Sequence, residues 1–137
     1  MKTIYFAASI RGGREDQETY LELIKHISTK ANVLTEHIGK AALTSLGEKN
    51  TSDEHIFQRD LDWLKKADLI IAEVTNPSLG VGYELGIAQT LNKKTLCLFN
   101  ENKNKKLSAM INGNKYFQTK KYSSINQAKK IINEFLN

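Results

Sequence analysis

The sequence predicts an α/β fold in which a mostly parallel, five-stranded sheet lies between two layers of helices. Three features lead to this prediction. Short apolar runs alternate with segments of helical periodicity to the end of the chain, residues 68–75 are almost continuously apolar, and breaker-rich turns follow residues 3–9 and 68–75. A continuous apolar run is typical of a central parallel strand that is covered on both faces. Alternating strands and helices are typical of a layered α/β sandwich.

Length and composition exclude several classes of protein. The 137 residues, 40% of them hydrophobic, fit a single domain (1–137) with a substantial core. The single cysteine, Cys97, excludes an internal disulfide framework and cysteine-rich zinc modules. No apolar stretch approaches the roughly 18–20 residues of a membrane span, and the N-terminus lacks the pattern of a secretory signal. We therefore expect a cytoplasmic protein, or a nuclear one if the source is eukaryotic, without membrane association.

The predicted elements follow one another without a repeat or a linker. In the first half they are a strand at 3–9, a helix at 14–30, a strand at 32–37, a loop at 38–52 and a helix capped by Ser52 or Asp53. In the second half they are a strand at 68–75, a turn at 76–82, a helix from about Gly82 to Leu91, a strand at 95–99, a short helix at 107–111, an edge strand at 116–120 and a closing helix. Five strands suit a Rossmann-like sandwich with the flavodoxin-like strand order.

Charge is distributed unevenly along the chain. Residues 1–92 carry 10 basic and 13 acidic side chains, whereas residues 93–137 carry 10 lysines and 2 acidic side chains. A basic half can indicate nucleic acid, but here the lysines are interspersed with asparagine and no nucleic-acid-binding module is recognisable. We interpret this segment as a solvated surface that attracts small anions, and expect no nucleic acid polymer as partner.

The carboxyl ends of parallel strands are where ligands bind in such sheets, which directs attention to residues 8–14, 75–84 and 99–108. Ser9, Arg11 and Gly12 lie where the first strand enters a helix, and a turn of this composition offers backbone and side-chain donors to a phosphate. An ordinary glycine-containing βα turn explains the same residues equally well, because the segment matches neither the P-loop nor the dinucleotide fingerprint.

Two carboxylates are candidates for catalysis. Glu84 is expected in the first turn of the helix after the central strand, where the helix dipole favours the ionised form that a nucleophile requires; a capping glutamate is the alternative. Asp60 lies at the margin of an apolar helix face, and partial withdrawal from water suits a general acid; a surface aspartate is the alternative. If the two converge, they form the carboxylate pair that cleaves glycosidic bonds.

Metal chemistry is not indicated. His26, His37 and His55 show no ligand spacing with one another or with Cys97. Cys97 lies inside a predicted strand and is interpreted as a small buried hydrophobe. We therefore expect neither a metal ion nor an organic cofactor.

Several ungapped segments together resemble the 2′-deoxynucleoside 5′-monophosphate N-glycosidases, which belong to the wider nucleoside 2-deoxyribosyltransferase family. The segments, in the same order as in that family, are YFAASIRGGRED, VLTEH, DLDWLKKADLIIAEVTNPSLGVGYELG, NKKTLCLF and LSAMI. The resemblance extends from about Tyr5 to Ile111. Ala8 stands where related proteins often have glycine.

This resemblance implies roles for particular residues. Glu84 is the implied nucleophile at the anomeric carbon, Asp60 assists departure of the base, and Tyr5 positions the nucleophile. Ser108 is implied to reach the phosphate in the neighbouring subunit of a homodimer. The implied substrate-binding residues are Ser9, Ile10, Arg11, Gly12, Ser78, Gly80 and Ser108.

The resemblance therefore implies a hydrolase of deoxyribonucleotide catabolism, which releases the free base and 2-deoxyribose 5-phosphate through a covalent glutamyl–sugar intermediate. Two alternatives remain open at this point. One is a nucleoside 2-deoxyribosyltransferase that exchanges bases, and the other is a non-catalytic nucleotide-binding module. The presence of Tyr5, Asp60 and Glu84 together disfavours the binding module, because a binder has no need of a nucleophile.

Overall fold

A computed structural model describes residues 1–11, 13–37 and 51–137. The described residues form five strands and five helices that alternate for most of the chain. In order they are β1 (Thr3–Ala8), α1 (Arg14–Ser28), β2 (Asn32–Leu34), α2 (Asp53–Lys66), β3 (Leu69–Glu73), α3 (Leu79–Thr90), β4 (Lys94–Asn100), α4 (Ala109–Asn112), β5 (Gln118–Tyr122) and α5 (Ile125–Leu136).

The five strands pair in the order β2-β1-β3-β4-β5, and every pairing is parallel. The predicted α/β class, five-stranded sheet and flavodoxin-like strand order are confirmed. All five residues of β3 are buried, as the unbroken apolar run predicted for a strand at the centre of the sheet. Because the strands are parallel, their carboxyl ends meet along one edge.

Side chains alternate between the two faces of the sheet and form two separate cores. Ile4, Phe6 and Ala8 of β1 pack into the core that α1 and α5 cover. Tyr5 and Ala7 face the opposite core, which α2 and α3 cover. Tyr5 therefore enters the same layer as the two helices that carry Asp60 and Glu84.

Helix α3 begins earlier than predicted. Its N-cap is Ser78, whose hydroxyl oxygen accepts a hydrogen bond from the Val81 amide at 3.2 Å. Gly80 and Gly82 are thus helical rather than part of a turn, because capping and burial of one apolar face outweigh the roughly 1 kcal/mol that a helical glycine costs. The prediction that Glu84 lies in the first turn is wrong, since Glu84 lies in the second.

Other boundaries differ by a few residues. Strand β2 ends at Leu34, not at His37, and the chain then turns so that His37 is buried and its Nε2 lies 3.0 Å from the Ala8 carbonyl oxygen. Ser52 is the cap of α2, because its hydroxyl accepts from the His55 amide at 3.1 Å. Most of the predicted 38–52 loop lies outside the described residues. Among the helices that are described, none is long and apolar enough to cross a membrane.

Candidate functional site

A cavity of about 220 Å³ lies between α2 and α3 at the carboxyl edge of the sheet. Its walls come from segments that follow β1, β2 and β3 and from the two helices. Asp60 and Glu84 both line it, so the two predicted carboxylates do converge. The remaining lining residues are mostly apolar: Ala8, Ile10, Ile56, Phe57, Leu61, Leu64, Val81, Tyr83 and Ile87, with Glu36, Ser78 and Gly80.

A hydrogen bond from the Tyr5 hydroxyl to Oε2 of Glu84 connects β1 with α3. Tyr5 is almost fully buried, and its ring packs at a tilt against Trp63 with 6.3 Å between centroids. A buried ring on a strand has little rotational freedom. The hydroxyl therefore fixes the carboxylate of Glu84 at the wall of the cavity.

Arg59 connects Asp60 with a third carboxylate, Glu36. Its Nε donates to Oδ1 of Asp60 at 3.0 Å, and its Nη2 donates to Oε2 of Glu36 at 3.4 Å. The guanidinium also lies over the ring of Trp63, 4.7 Å from the centroid. The side chain of Asp60 is only 14% exposed, which excludes the surface-aspartate alternative.

Glu36 was missed by the sequence analysis, although it lines the cavity. It was placed inside a predicted strand at 32–37, whereas the strand ends at Leu34. The useful signal was its position directly after a parallel strand, the place where ligand-binding side chains collect. Among the described residues, three carboxyl groups therefore line the cavity, and the Arg59 guanidinium bridges two of them.

Burial dominates the acidity of Glu84 and raises its pKa from the ordinary 4.5 to about 7. The hydrogen bond from Tyr5 lowers the pKa, while the nearby charges of Asp60 and Glu36 raise it further. The expected effect of the helix dipole is therefore outweighed. Burial and the charge of Glu84 also hold the pKa of Tyr5 far above its usual value, so Tyr5 remains a hydrogen-bond donor at neutral pH.

The predicted substrate-binding residues divide into two groups. Ile10, Ser78 and Gly80 line the cavity. Ser9 is buried and its Oγ accepts from the Arg11 amide at 3.3 Å, whereas the Arg11 side chain is exposed at the surface. Gly12 lies outside the described residues.

Packing does not explain glycine at position 80. A Cβ there would meet Ser78 Oγ at 4.0 Å and no nearer atom of the described residues. An alanine at this position is therefore compatible with the surroundings that the structure describes.

Ser108 lies apart from the Glu84 cavity in the single chain. It is exposed, caps the short helix α4, and lines a second, larger groove of about 590 Å³. The two sites share Ser78, Val81 and Tyr83. Large apolar side chains stand exposed beside the groove, with Leu79 95% and Met110 81% accessible.

Neither cysteine nor metal chemistry is evident in the part of the chain that is described. Within it, no group of three or more His, Cys, Asp or Glu side chains is placed to hold a metal ion. Cys97 is buried in β4, and burial raises the pKa of its thiol to about 12. The thiolate that a nucleophile or ligand requires is therefore strongly disfavoured.

Comparison with known proteins identifies the family. Residues 4–133 match the family described as nucleoside 2-deoxyribosyltransferase, and the chain belongs to it. A protein of Danio rerio named 5-hydroxymethyl-dUMP N-hydrolase is 46% identical over 135 residues, covering 96% of this chain and 94% of the relative. A Tetraodon nigroviridis protein of the same name is 51% identical over 111 residues, covering 80% and 78%. The family resemblance is confirmed.

The solved structure of a Clostridium botulinum CMP N-glycosidase, BcmB, has the same fold. It superposes with a TM-score of 0.70 and covers 97% of this chain and 99% of that protein. At 19% sequence identity, this likeness concerns the fold.

The acidity of Glu84 can be measured in the free protein. We expect the side-chain carboxyl of Glu84, followed by ¹³C NMR, to titrate with a midpoint near 7. Tyr5→Phe removes a hydrogen bond to the charged form and moves the midpoint to higher pH. Glu36→Gln removes a neighbouring negative charge and moves it to lower pH.

Tyr116→Phe is the matched control, because that hydroxyl donates to the Lys93 carbonyl outside the cavity. It leaves the midpoint unchanged. A wild-type midpoint at the ordinary 4.5, or shifts of the same sign in Tyr5→Phe and Glu36→Gln, would contradict this electrostatic account.

Proposed function

We propose that this protein is a 2′-deoxynucleoside 5′-monophosphate N-hydrolase, which releases the free base and 2-deoxyribose 5-phosphate. The observation that carries the proposal is the Tyr5–Glu84 hydrogen bond at a cavity that Asp60 also lines. The relatives named 5-hydroxymethyl-dUMP N-hydrolase support it and make 5-hydroxymethyl-dUMP the first substrate to test. The reaction belongs to deoxyribonucleotide catabolism, and we propose a cytoplasmic location.

Cleavage of an N-glycosidic bond develops positive charge on the sugar, which an ionised carboxylate beneath the anomeric carbon stabilises. The 2′-deoxy sugar lacks an electron-withdrawing hydroxyl, so this cation forms more readily. Glu84 attacks the anomeric carbon and forms an ester, while the base departs with the electron pair of the broken bond. Water then attacks the same carbon, releases 2-deoxyribose 5-phosphate and restores the carboxylate.

Asp60 faces the same cavity and assists the departing base by proton donation or hydrogen bonding. Tyr5 holds the nucleophile in position, and the largely apolar lining of the cavity suits a planar base. Each of these roles follows from a contact or position within the cavity. The chemistry uses side chains of the protein and a water molecule.

The 5′-phosphate is assigned to the N-terminus of α3. First-turn amide groups of a helix attract anions, and Ser78 and Gly80 lie there at the wall of the cavity. The turn after β1, with Ser9 and Arg11, supplies further donors on the same edge of the sheet. An unphosphorylated nucleoside would leave these donors without a partner.

Ser108 is assigned to the site of a second copy of the chain. Leu79, Tyr83 and Met110 expose apolar surface around the groove that Ser108 lines, and this groove adjoins the Glu84 cavity through Ser78. A two-fold interface here would cover the apolar side chains and bring Ser108 to the neighbouring phosphate site. The proposed enzyme is thus a homodimer with composite sites.

Substrate tests decide the proposed activity. We expect base release from 5-hydroxymethyl-dUMP or from one of the four common deoxynucleoside monophosphates, and much slower release from the ribonucleotide or the unphosphorylated nucleoside. Glu84→Gln abolishes release while the fold survives, because the amide is a poor nucleophile. Chromatography of the released bases measures each rate, and Glu101→Gln, at an exposed position, is the control.

Three outcomes would overturn the proposal. They are the absence of base release from every nucleotide tested, near wild-type hydrolysis by Glu84→Gln, and comparable rates with and without the 5′-phosphate. Efficient capture of the deoxyribosyl group by added free base would instead identify a transferase.

A mixing experiment tests the composite site. Glu84→Ala and Ser108→Trp are each expected to be nearly inactive as homodimers. A heterodimer, isolated with two affinity tags, contains one site with both defects and one site with neither. Base release should therefore return toward half of the wild-type rate per dimer. No recovery in purified heterodimers, or a fully active monomer, would exclude the sharing of Ser108 between subunits.

A further inference from the structure

We infer that Glu73 is a positioning residue that places the N-terminus of α3 for recognition of the substrate phosphate. This inference rests on the proposed function, since it concerns the phosphate site of the same cavity. Glu73 is the last residue of β3 and is 2% exposed. It lies at the carboxyl edge of the sheet, yet does not line the cavity.

The carboxyl group of Glu73 accepts three hydrogen bonds. The amide of Thr75 donates to Oε1 at 2.8 Å, while the hydroxyls of Thr75 and Tyr122 donate to Oε2 at 2.8 Å and 2.5 Å. Burial raises the pKa of Glu73, and these three donors lower it. A buried carboxyl group is costly, and here it collects donors from two different parts of the chain.

These bonds fix the backbone that leaves the central strand. The hydroxyl of Thr75 also accepts from the Asn100 amide at 2.8 Å, and the Val74 amide donates to the Leu98 carbonyl at 2.9 Å. The Asn76 side chain donates to the Tyr20 hydroxyl at 3.0 Å. Three consecutive residues are therefore held by groups from β4 and α1, and Glu73 just before them is held by Tyr122 of β5.

The fixed segment leads directly into the proposed phosphate site. Pro77 follows Asn76 and restricts φ, and Ser78 then caps α3 and lines the cavity. Only Asn76 and Pro77 separate Thr75 from Ser78, and the φ angle of Pro77 is restricted by its ring. A shift of the backbone at Thr75 is therefore transmitted to the first turn of α3. Displacements of about 1 Å in a substrate-positioning group can cost about 100-fold in rate.

A carboxylate suits this position better than an amide. It accepts all three hydrogen bonds, whereas the NH₂ group of a glutamine in the place of Oε2 accepts none, so the hydroxyls of Thr75 and Tyr122 would lose their acceptor. A buried hydroxyl on the same strand as Tyr122 lies outside this network. Oγ1 of Thr119, three residues before Tyr122 on β5, has no hydrogen-bond partner among the described residues.

The test compares variants that break the network with a variant that leaves it intact. Glu73→Gln and Thr75→Val remove hydrogen bonds at nearly constant volume, Thr75→Ser restores the hydroxyl, and Thr119→Val is the matched control. For each, kcat and KM are measured with 5-hydroxymethyl-dUMP. Kd for the same nucleotide and for its nucleoside is measured by calorimetry with Glu84→Gln added to every protein, so that the nucleotide is not consumed.

We expect Glu73→Gln and Thr75→Val to raise KM and Kd for the monophosphate about 10-fold or more, with a smaller change in kcat. Binding of the unphosphorylated nucleoside changes much less. Thr75→Ser returns both constants toward the wild-type values, and Thr119→Val leaves them unchanged. If Glu73→Gln fails to fold, Tyr122→Phe replaces it, since it removes one donor from the edge strand.

Unchanged KM and Kd in the network variants, with only a lower Tm, would overturn the positioning role. Equal weakening of the nucleotide and the nucleoside would also overturn it. Wild-type protein that binds the nucleotide normally but releases no base would contradict the proposed function and leave the calorimetric test of Glu73 intact. Wild-type protein that fails to bind the nucleotide would overturn both.

Discussion

The hydrogen bond between the Tyr5 hydroxyl and the Glu84 carboxylate is the interaction on which the site depends. Burial in the α2–α3 layer raises the pKa of Glu84, and the charges of Glu36 and Asp60 act in the same direction. The Tyr5 hydroxyl opposes them by stabilising the ionised form. The resulting carboxyl group is poorly hydrated and close to its pKa at neutrality, which suits the role of nucleophile proposed for it.

The two faces of the sheet contribute differently to this site. On the α2–α3 side, β1 places Tyr5 against Glu84, the two helices supply Asp60 and Glu84, and the segment after β2 supplies Glu36. On the α1–α5 side, Glu73 and Tyr122 hold the end of the central strand from which α3 departs. The cavity carboxylates thus lie on one face, while buried polar contacts on the other face hold the strand end that leads into α3.

Sequence patterns were sufficient for most of the elements and directed attention to several residues that line the cavity. Periodicity predicted the strands and helices, and the rule that ligands bind at the carboxyl ends of parallel strands directed attention to Glu84. Asp60 was a candidate because it borders an apolar helix face, but its proximity to Glu84 depends on how α2 and α3 pack. A local sequence pattern contains no information on whether two side chains from different helices come together.

The errors have the same physical origin. Breaker residues suggested a turn at 76–82, whereas the Ser78 cap and tertiary packing make Gly80 and Gly82 helical. The helix dipole suggested an easily ionised Glu84, but desolvation is the larger effect and becomes visible only when the surrounding layer is assembled. Glu36 was missed because the sequence pattern predicted the end of β2 three residues too late.

The central claim is that Glu84 attacks the sugar directly. The stereochemistry of the transfer reaction tests this claim most simply. When methanol competes with water during turnover of a β-configured deoxynucleoside 5′-monophosphate, the methyl 2-deoxyriboside 5-phosphate formed can be assigned by ¹H NMR. Two displacements, first by Glu84 and then by methanol, give the β product with overall retention. Formation of the α product would show a single displacement without a glutamyl intermediate and would contradict the account.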